Sequence, residues 1–524
     1  MTTRHAHVPT AEELDGVDPH AYRRRWGILA TMCLSLVLIV ATVSSVNVAI
    51  PHLAQSELTP SDTQILWIVD AYALVFAALL LPAGALGDRF GRKGALLVGL
   101  VVFAGGSLAS ALMGSANALI ACRAVMGIGA ALIMPSTLSL LQSVFPRRER
   151  AKAIAVWAGF AGAGGAIGPV LGGFLLEHFW YGSVFFVTAP IATVAFIASA
   201  ILAPSAREAV AHRLDFGGAA LSITGFAALL MAIIEGPERG WTDPLVVIGF
   251  VVAVVSLVGF VFFERRHHEP MLDMGFFANP RFAMGSLGIS MTFFAMFAMF
   301  FTLTQYLQYV KGYSALGAGL RGLPFGATMI LVSPRAPQLV AKVGIRRAVP
   351  TGMVLLATGL TLLSLAGRNT PYVYVALCLV LMASGMGSVM PSLSAAILAS
   401  VPMNKAGVGS AVNDTTREVG GAIGIAVVGS IINSVYRDHL GPALSTLPPQ
   451  LADAANDNVG TALYATAEYA KIDPVAASRL ADTVKQSFVD GMHLGLRVAA
   501  VLALVGAVVV ARRLPNEAVV LDRV

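Results

Sequence analysis

Met134-Pro135-Ser136 returns as Met390-Pro391-Ser392, and Gly164-Gly165-Ala166-Ile167-Gly168 returns as Gly420-Gly421-Ala422-Ile423-Gly424. Both pairs are 256 residues apart, as are Pro146 and Pro402, and Gly129 and Gly385. One such match is ordinary chance in a chain rich in Gly and Ala. Four in register mark an internal repeat. A weaker echo links Leu86, Arg89 and Gly91 to Leu339, Lys342 and Gly344, at an offset of 253.

What repeats is a set of membrane spans. Of the 524 residues, 56% are hydrophobic and only 12% are charged, against about 25% charged in a soluble domain. Mean hydropathy is +0.76. Apolar runs follow one another at the ~20-residue length that crosses ~30 Å of hydrocarbon as a helix. Such a chain is no soluble enzyme, secreted disulfide scaffold or nucleic-acid-binding domain. Cys33, Cys122 and Cys378 all lie in apolar runs without ligand spacing, so no metal site is expected. The polar N-terminus, with Glu12, Glu13, Asp15 and Asp18, does not read as a cleavable signal peptide.

Fourteen spans are predicted: 26–50, 63–86, 94–114, 118–141, 152–175, 181–203, 216–234, 244–263, 282–305, 316–340, 348–366, 372–395, 407–435 and 488–511. An even number puts both termini on one side. Of the 35 Lys and Arg, 23 fall in segments on the side of the N-terminus, 7 on the other side and 5 within spans. Positively charged loops stay in the cytoplasm, so both termini are expected there. The same bias accounts for the net charge of +6 with no nucleic acid as partner.

The repeat pairs span 4 with span 12, and span 5 with span 13. A shift of eight spans implies two six-helix halves with two helices inserted between them. The expected division is a tail 1–25, a first half 26–203, an insert 204–270, a second half 271–511 with a long outer loop 436–487, and a tail 512–524. The fold class is an all-α polytopic membrane protein. Parallel repeated halves around a central path are the geometry of secondary transporters that rock one half against the other.

Three motifs point the same way. The loop after span 2 reads Gly84-Ala-Leu-Gly-Asp88-Arg89-Phe-Gly91-Arg92-Lys93. Its glycines let helix ends approach, while Asp88, Arg89 and Arg92 can form and break ion pairs as a switch between conformations. Span 4 carries Arg123-Ala-Val-Met-Gly127-Ile-Gly129. Span 5 carries Gly164-Gly165-Ala-Ile-Gly168-Pro169-Val-Leu-Gly172-Gly173. Small residues four apart make a face for close helix contact, and Pro169 weakens the helix.

These runs resemble the signatures of the major facilitator superfamily, and the third resembles its antiporter motif. Ser45-Val-Asn47-Val-Ala49-Ile-Pro51, Trp67-Ile-Val-Asp70-Ala-Tyr72-Ala-Leu74 and the stretch Ala406–Gly420 narrow the likeness to the fourteen-span drug:proton antiporters. The resemblance implies the major facilitator fold and multidrug efflux by antiport, driven by the proton gradient with no cofactor. It implies the bacterial cytoplasmic (inner) membrane, amphipathic small molecules and protons as partners, and a monomer in the bilayer. It also implies that span 5 seals the halves against leak, although ordinary close packing explains the glycine spacing alone. In one respect the chain departs: family members carry Asp five residues before the Asn of span 1, and here that position is Thr42.

Ionisable groups inside spans are costly and mark function by default. The carboxylates well inside spans are Asp70, Asp414 and Glu418. Asp70 and Arg123 lie at similar depth and are candidates for proton coupling, or else a static ion pair. Asp414 and Glu418 share a helix face with Arg417 beside them, for coupling or for structural pairing. Thr42, Asn47, Trp67, Tyr72, Phe293, Phe297 and Gln305 are candidate substrate-pocket residues. The Phe residues of span 9 suit either a pliable pocket or plain packing. No ATP-binding Gly-rich loop or catalytic set is present, so an enzyme is not expected. Rival readings are an exporter of one native metabolite, lipid or self-made antibiotic, and a membrane-embedded enzyme or sensor.

Overall fold

A computed structural model describes residues 14–515, apart from 16, 55, 59, 61, 206–214, 445–451 and 453–458. No strand occurs among the described residues. Hydrocarbon offers no hydrogen bonds, so each spanning segment must satisfy its backbone internally as a helix. The helices are α1 (Pro19–Ala54), α2 (Asp62–Phe90), α3 (Arg92–Leu112), α4 (Ala116–Val144) and α5 (Arg147–His178). Then follow α6 (Ser183–Leu202), α7 (Phe216–Arg239), α8 (Pro244–Arg266), α9 (Pro280–Val310) and α10 (Ala315–Val343). The last four are α11 (Ile345–Leu363), α12 (Tyr372–Ala399), α13 (Ala406–Leu444) and α14 (Pro474–Arg513).

Thirteen of these are long and apolar enough to cross a membrane. The fourteenth, α11, has 19 residues and opens on Arg346 and Arg347. These Arg residues mark the membrane edge, where Arg346 Nε donates to Ala511 O of α14 at 2.8 Å. Polar caps begin several spans. Ser115, Asp215, Asp243, Asn279 and Ser314 each accept a backbone N–H from the first turn of the following helix.

The helix contacts repeat with the predicted shift of eight. α1 packs on α5 as α9 packs on α13, and α2 packs on α4 as α10 packs on α12. α3 meets α6 as α11 meets α14. The two halves join through α2 with α13 and through α10 with α5, a pair of contacts that also exchanges under the repeat. α7 and α8 pack on each other, and α7 leans on α2 and α13. Val247, Ile248, Val251, Val254, Val255 and Val258 of α8 point outward as an apolar ridge, as suits a helix facing lipid.

Real helices run past the apolar stretches. α1 begins at Pro19 rather than 26, and its extension is tied to α5 by Arg25 Nε to Glu149 Oε2 at 2.8 Å. The stretch 436–487 is largely helical where described: α13 continues to Leu444, a short helix covers Val459–Tyr469, and α14 starts at Pro474. α10 tightens into a turn at Ser333–Arg335, which contains Pro334 and precedes Pro337, and Arg335 is exposed there. The missing N–H of each proline opens the helical ladder there.

Candidate functional site

Arg123 of α4 is buried, 1% exposed. Its Nε donates to Ile68 O at 2.8 Å and its Nη2 to Val69 O at 3.4 Å, both on the α2 turn that bears Asp70. The guanidinium lies 4.5 Å from the centre of the Tyr72 ring, a cation–π contact. Asp70 attracts it electrostatically. Tyr72 stacks on Phe76 at 5.8 Å. Two polar atoms here, Arg123 Nη1 and Tyr72 Oη, are buried without a hydrogen-bond partner. The structure thus brings Arg123 against the α2 turn of Asp70 and against Tyr72, while Thr42, at similar depth, bonds within its own helix.

A second cluster sits on α13. Asp414 Oδ1 accepts from Asn413 Nδ2 at 3.1 Å and from Arg417 Nη1 at 3.2 Å, while its Oδ2 has no partner. Ser394 Oγ of α12 donates to Asn413 Oδ1 at 2.8 Å and so orients that amide. The Arg417 guanidinium sits 4.5 Å from the Phe293 ring and 5.6 Å from the Trp157 ring. It therefore bridges α9, α5 and α13. Glu418 is half-buried next to Arg417 on the same helix, and its charge also reaches Tyr72 of the first cluster. The two groups of charges lie on helices that pack across the halves, α2 and α4 against α13.

The span-2 motif forms a latch between the halves. Asp88 Oδ1 accepts the Gly407 N–H at 2.9 Å and Asp88 Oδ2 the Val408 N–H at 3.1 Å. A carboxylate at those first-turn amides caps α13 from another helix and opposes the positive end of its dipole. Arg92 is paired with Asp88 at 3.2 Å and donates to Met403 O at 2.5 Å. Gly84 makes the approach possible, since a Cβ there would stand 2.6 Å from Gly407 O. Gly91 takes φ 101° at the turn into α3, a region that favours glycine. Arg89 is half-buried over the Phe90 ring, outside the latch bonds.

The span-5 glycines divide their work. Gly164, Gly168 and Gly172 face α1, where a Cβ on Gly168 would lie 2.5 Å from Ala41 O. Ser45 Oγ shares its proton between Ala41 O and Gly168 O, 2.7 Å each. Gly173 and Pro169 instead meet α10, at Leu316 and Gly319. Only this second contact joins the halves.

The remaining candidates are dispersed. Thr42 is buried and spends its hydroxyl on Leu38 O of its own helix, at 2.7 Å. The side chain of Asn47 lies outside the described residues. Trp67 and Gln305 are half-buried. Phe293 and Phe297 pack onto α13, against Arg417 and Gly421. Trp157, Asn413 and Ser394 were not singled out as site residues. Asn413 stood beside Asp414 in the quoted motif, while nothing in the sequence flagged Trp157 or Ser394.

The chain is similar along most of its length to named drug-efflux and resistance proteins. The multidrug efflux pump LfrA of Mycolicibacterium smegmatis is 35% identical over 493 residues, covering 93% of this chain and 96% of its own. The multidrug resistance protein Stp of Mycobacterium tuberculosis is 32% identical, covering 90% and 89%. The tetracenomycin C resistance and export protein of Streptomyces glaucescens is 31% identical, covering 93% and 91%. Among solved structures, a bacterial homologue of the human lysosomal transporter Spinster matches with TM-score 0.59 at 18% identity, over 96% of this chain and all of that one. The likeness to that structure concerns the fold alone. A model of the Major Facilitator Superfamily matches residues 32–425, and the chain belongs to that superfamily.

Proposed function

We propose that the protein exports amphipathic drugs or toxic compounds, cationic ones among them, in exchange for protons. It works in a bacterial cytoplasmic membrane with both termini inside, as a monomer and without a cofactor. The observation that carries this reading is the pair of charge clusters on α2–α4 and α13, with Arg123, Asp414, Arg417 and Tyr72 buried and Asp70 and Glu418 half-buried beside them. Charges buried there must be paired, and rocking exchanges their neighbours. An acid that gains and loses a cationic neighbour gains and loses its proton. The relatives named for multidrug efflux support a broad substrate range.

A narrower reading, export of one native antibiotic, draws on the likeness to the tetracenomycin C export protein. Everted vesicles from cells making the protein separate these possibilities. Uptake of ethidium and of unrelated cationic dyes, abolished by an uncoupler, is the expected result. Uptake unaffected by the uncoupler would refute antiport, and uptake of one compound only would favour the narrower reading.

A further inference from the structure

At the cytoplasmic end of the insert, Asp215 precedes α7 and Glu264 lies in the last turn of α8. Both are almost wholly buried, 6% and 2% exposed. Asp215 Oδ1 accepts the Gly218 N–H at 2.7 Å. Glu264 Oε2 accepts the Leu272 N–H at 3.3 Å, with the Met271 amide also facing that carboxyl. The other oxygen of each, Asp215 Oδ2 and Glu264 Oε1, has no hydrogen-bond partner.

Those two oxygens converge. A Cβ built on Gly218 would stand 2.5 Å from both, so they are no more than about 5 Å apart. Among the described residues, no Lys or Arg nitrogen forms an ion pair with either. Nor does any group of three or more His, Cys, Asp or Glu assemble that could hold a metal ion. Asp215 also lines a cavity of about 260 Å³, whose other charged and titratable groups are Asp88 and Arg89 of α2, His268 and Glu269 of the loop after α8, and Lys405 before α13. Lys405 attracts Glu264 at longer range, but its ammonium is bonded to Pro270 O at 3.2 Å.

Two buried carboxylates facing each other repel when both are ionised, and one shared proton turns that repulsion into a hydrogen bond. We propose that Asp215 and Glu264 hold one proton between them. They form a proton-binding site at the cytoplasmic face, separate from the carboxylates of α13. The bond staples the start of α7 to the end of α8 and to the loop 267–273. Through Pro270 that loop holds Lys405, two residues before the Gly407 amide that Asp88 grips. With the proton bound, the insert braces the latch. Loss of the proton at high cytoplasmic pH sets two carboxylates against each other and releases that brace. This role is independent of whether the α13 acids couple transport.

Infrared difference spectra of the full-length protein in lipid nanodiscs, taken across a pH titration, test the assignment. Wild type should show a protonated-carboxyl C=O band that disappears as pH rises. That band should be lost in both Glu264→Gln and Asp215→Asn, since an amide replaces the protonated partner. Spectra identical in wild type and both variants would overturn the proposal. A variant-free arm uses thermal unfolding of wild type across pH, with and without added Na⁺, K⁺ or Mg²⁺. Stability that falls as pH rises, indifferent to the cations, supports a shared proton. Stability raised by a cation and flat with pH overturns it in favour of a metal site.

Discussion

Arg417 holds three helices by one side chain, with Asp414 on one side and the faces of Phe293 and Trp157 around it. Both charges are nearly sealed from solvent, at 5% and 1% side-chain exposure. Removing one member of such a pair leaves an uncompensated buried charge and costs about 3–5 kcal/mol. Arg417→Ala should therefore unfold at clearly lower temperature than wild type. A double change, Arg417→Met with Asp414→Asn, should recover most of the loss. Equal destabilisation by both would contradict a pair that matters chiefly by mutual neutralisation. Glu418 differs, because it makes no ion pair among the described residues, although Arg417 and Asp414 act on it electrostatically. Glu418→Gln should leave the unfolding temperature near that of wild type and alter transport instead.

At the scale of elements, two contacts at opposite ends control how the halves meet. Asp88 caps α13 at the end proposed to face the cytoplasm, and loss of a cap costs about 0.5–2 kcal/mol. Asp88→Ala should favour the state open to the cytoplasm. At the outer end, Gly173 would place a Cβ 2.7 Å from the Leu316 backbone. Gly173→Val should push α5 from α10 there, at an overpacking cost of ~1–3 kcal/mol, and favour the state open to the outside. Distances between spin labels at the two ends of the halves should shift in opposite senses for the two variants. Gly168→Ala, which meets α1 within the same half, should lower stability and leave those distances unchanged. A shift like that of Gly173→Val would show that the whole glycine motif acts between halves.

Much of this was legible in the sequence, and the exceptions have physical causes. Hydropathy finds the part of a helix that lipid touches, so the spans were placed and their polar extensions missed. α14 carries Arg479, Asp482 and Lys485 in turns that project beyond the apolar stretch. The same blindness hid Asp215 and Glu264, which fell just outside spans drawn at 216 and 263. Asp70, Arg123, Asp414 and Glu418 were visible because charge inside an apolar run stands out. That their helices pack across the halves was not visible, since it depends on how α2, α4 and α13 meet.

For the whole molecule, the six-helix repeat, shifted by eight helices, and the surplus of positive charge on one side make a single statement about orientation. Reporters fused after either terminus should both be active only where a cytoplasmic reporter is, with periplasmic phosphatase fusions silent. Active phosphatase at one terminus would break the even span count. The central claim is exchange of drug for proton through the charge clusters on α2–α4 and α13. Its most direct test is purified protein in liposomes with a pH-sensitive dye trapped inside. Adding a cationic substrate should drive protons across the membrane in proportion to substrate moved, and Glu418→Gln should bind substrate but move no protons. Substrate movement with no proton flux in wild type would contradict the account.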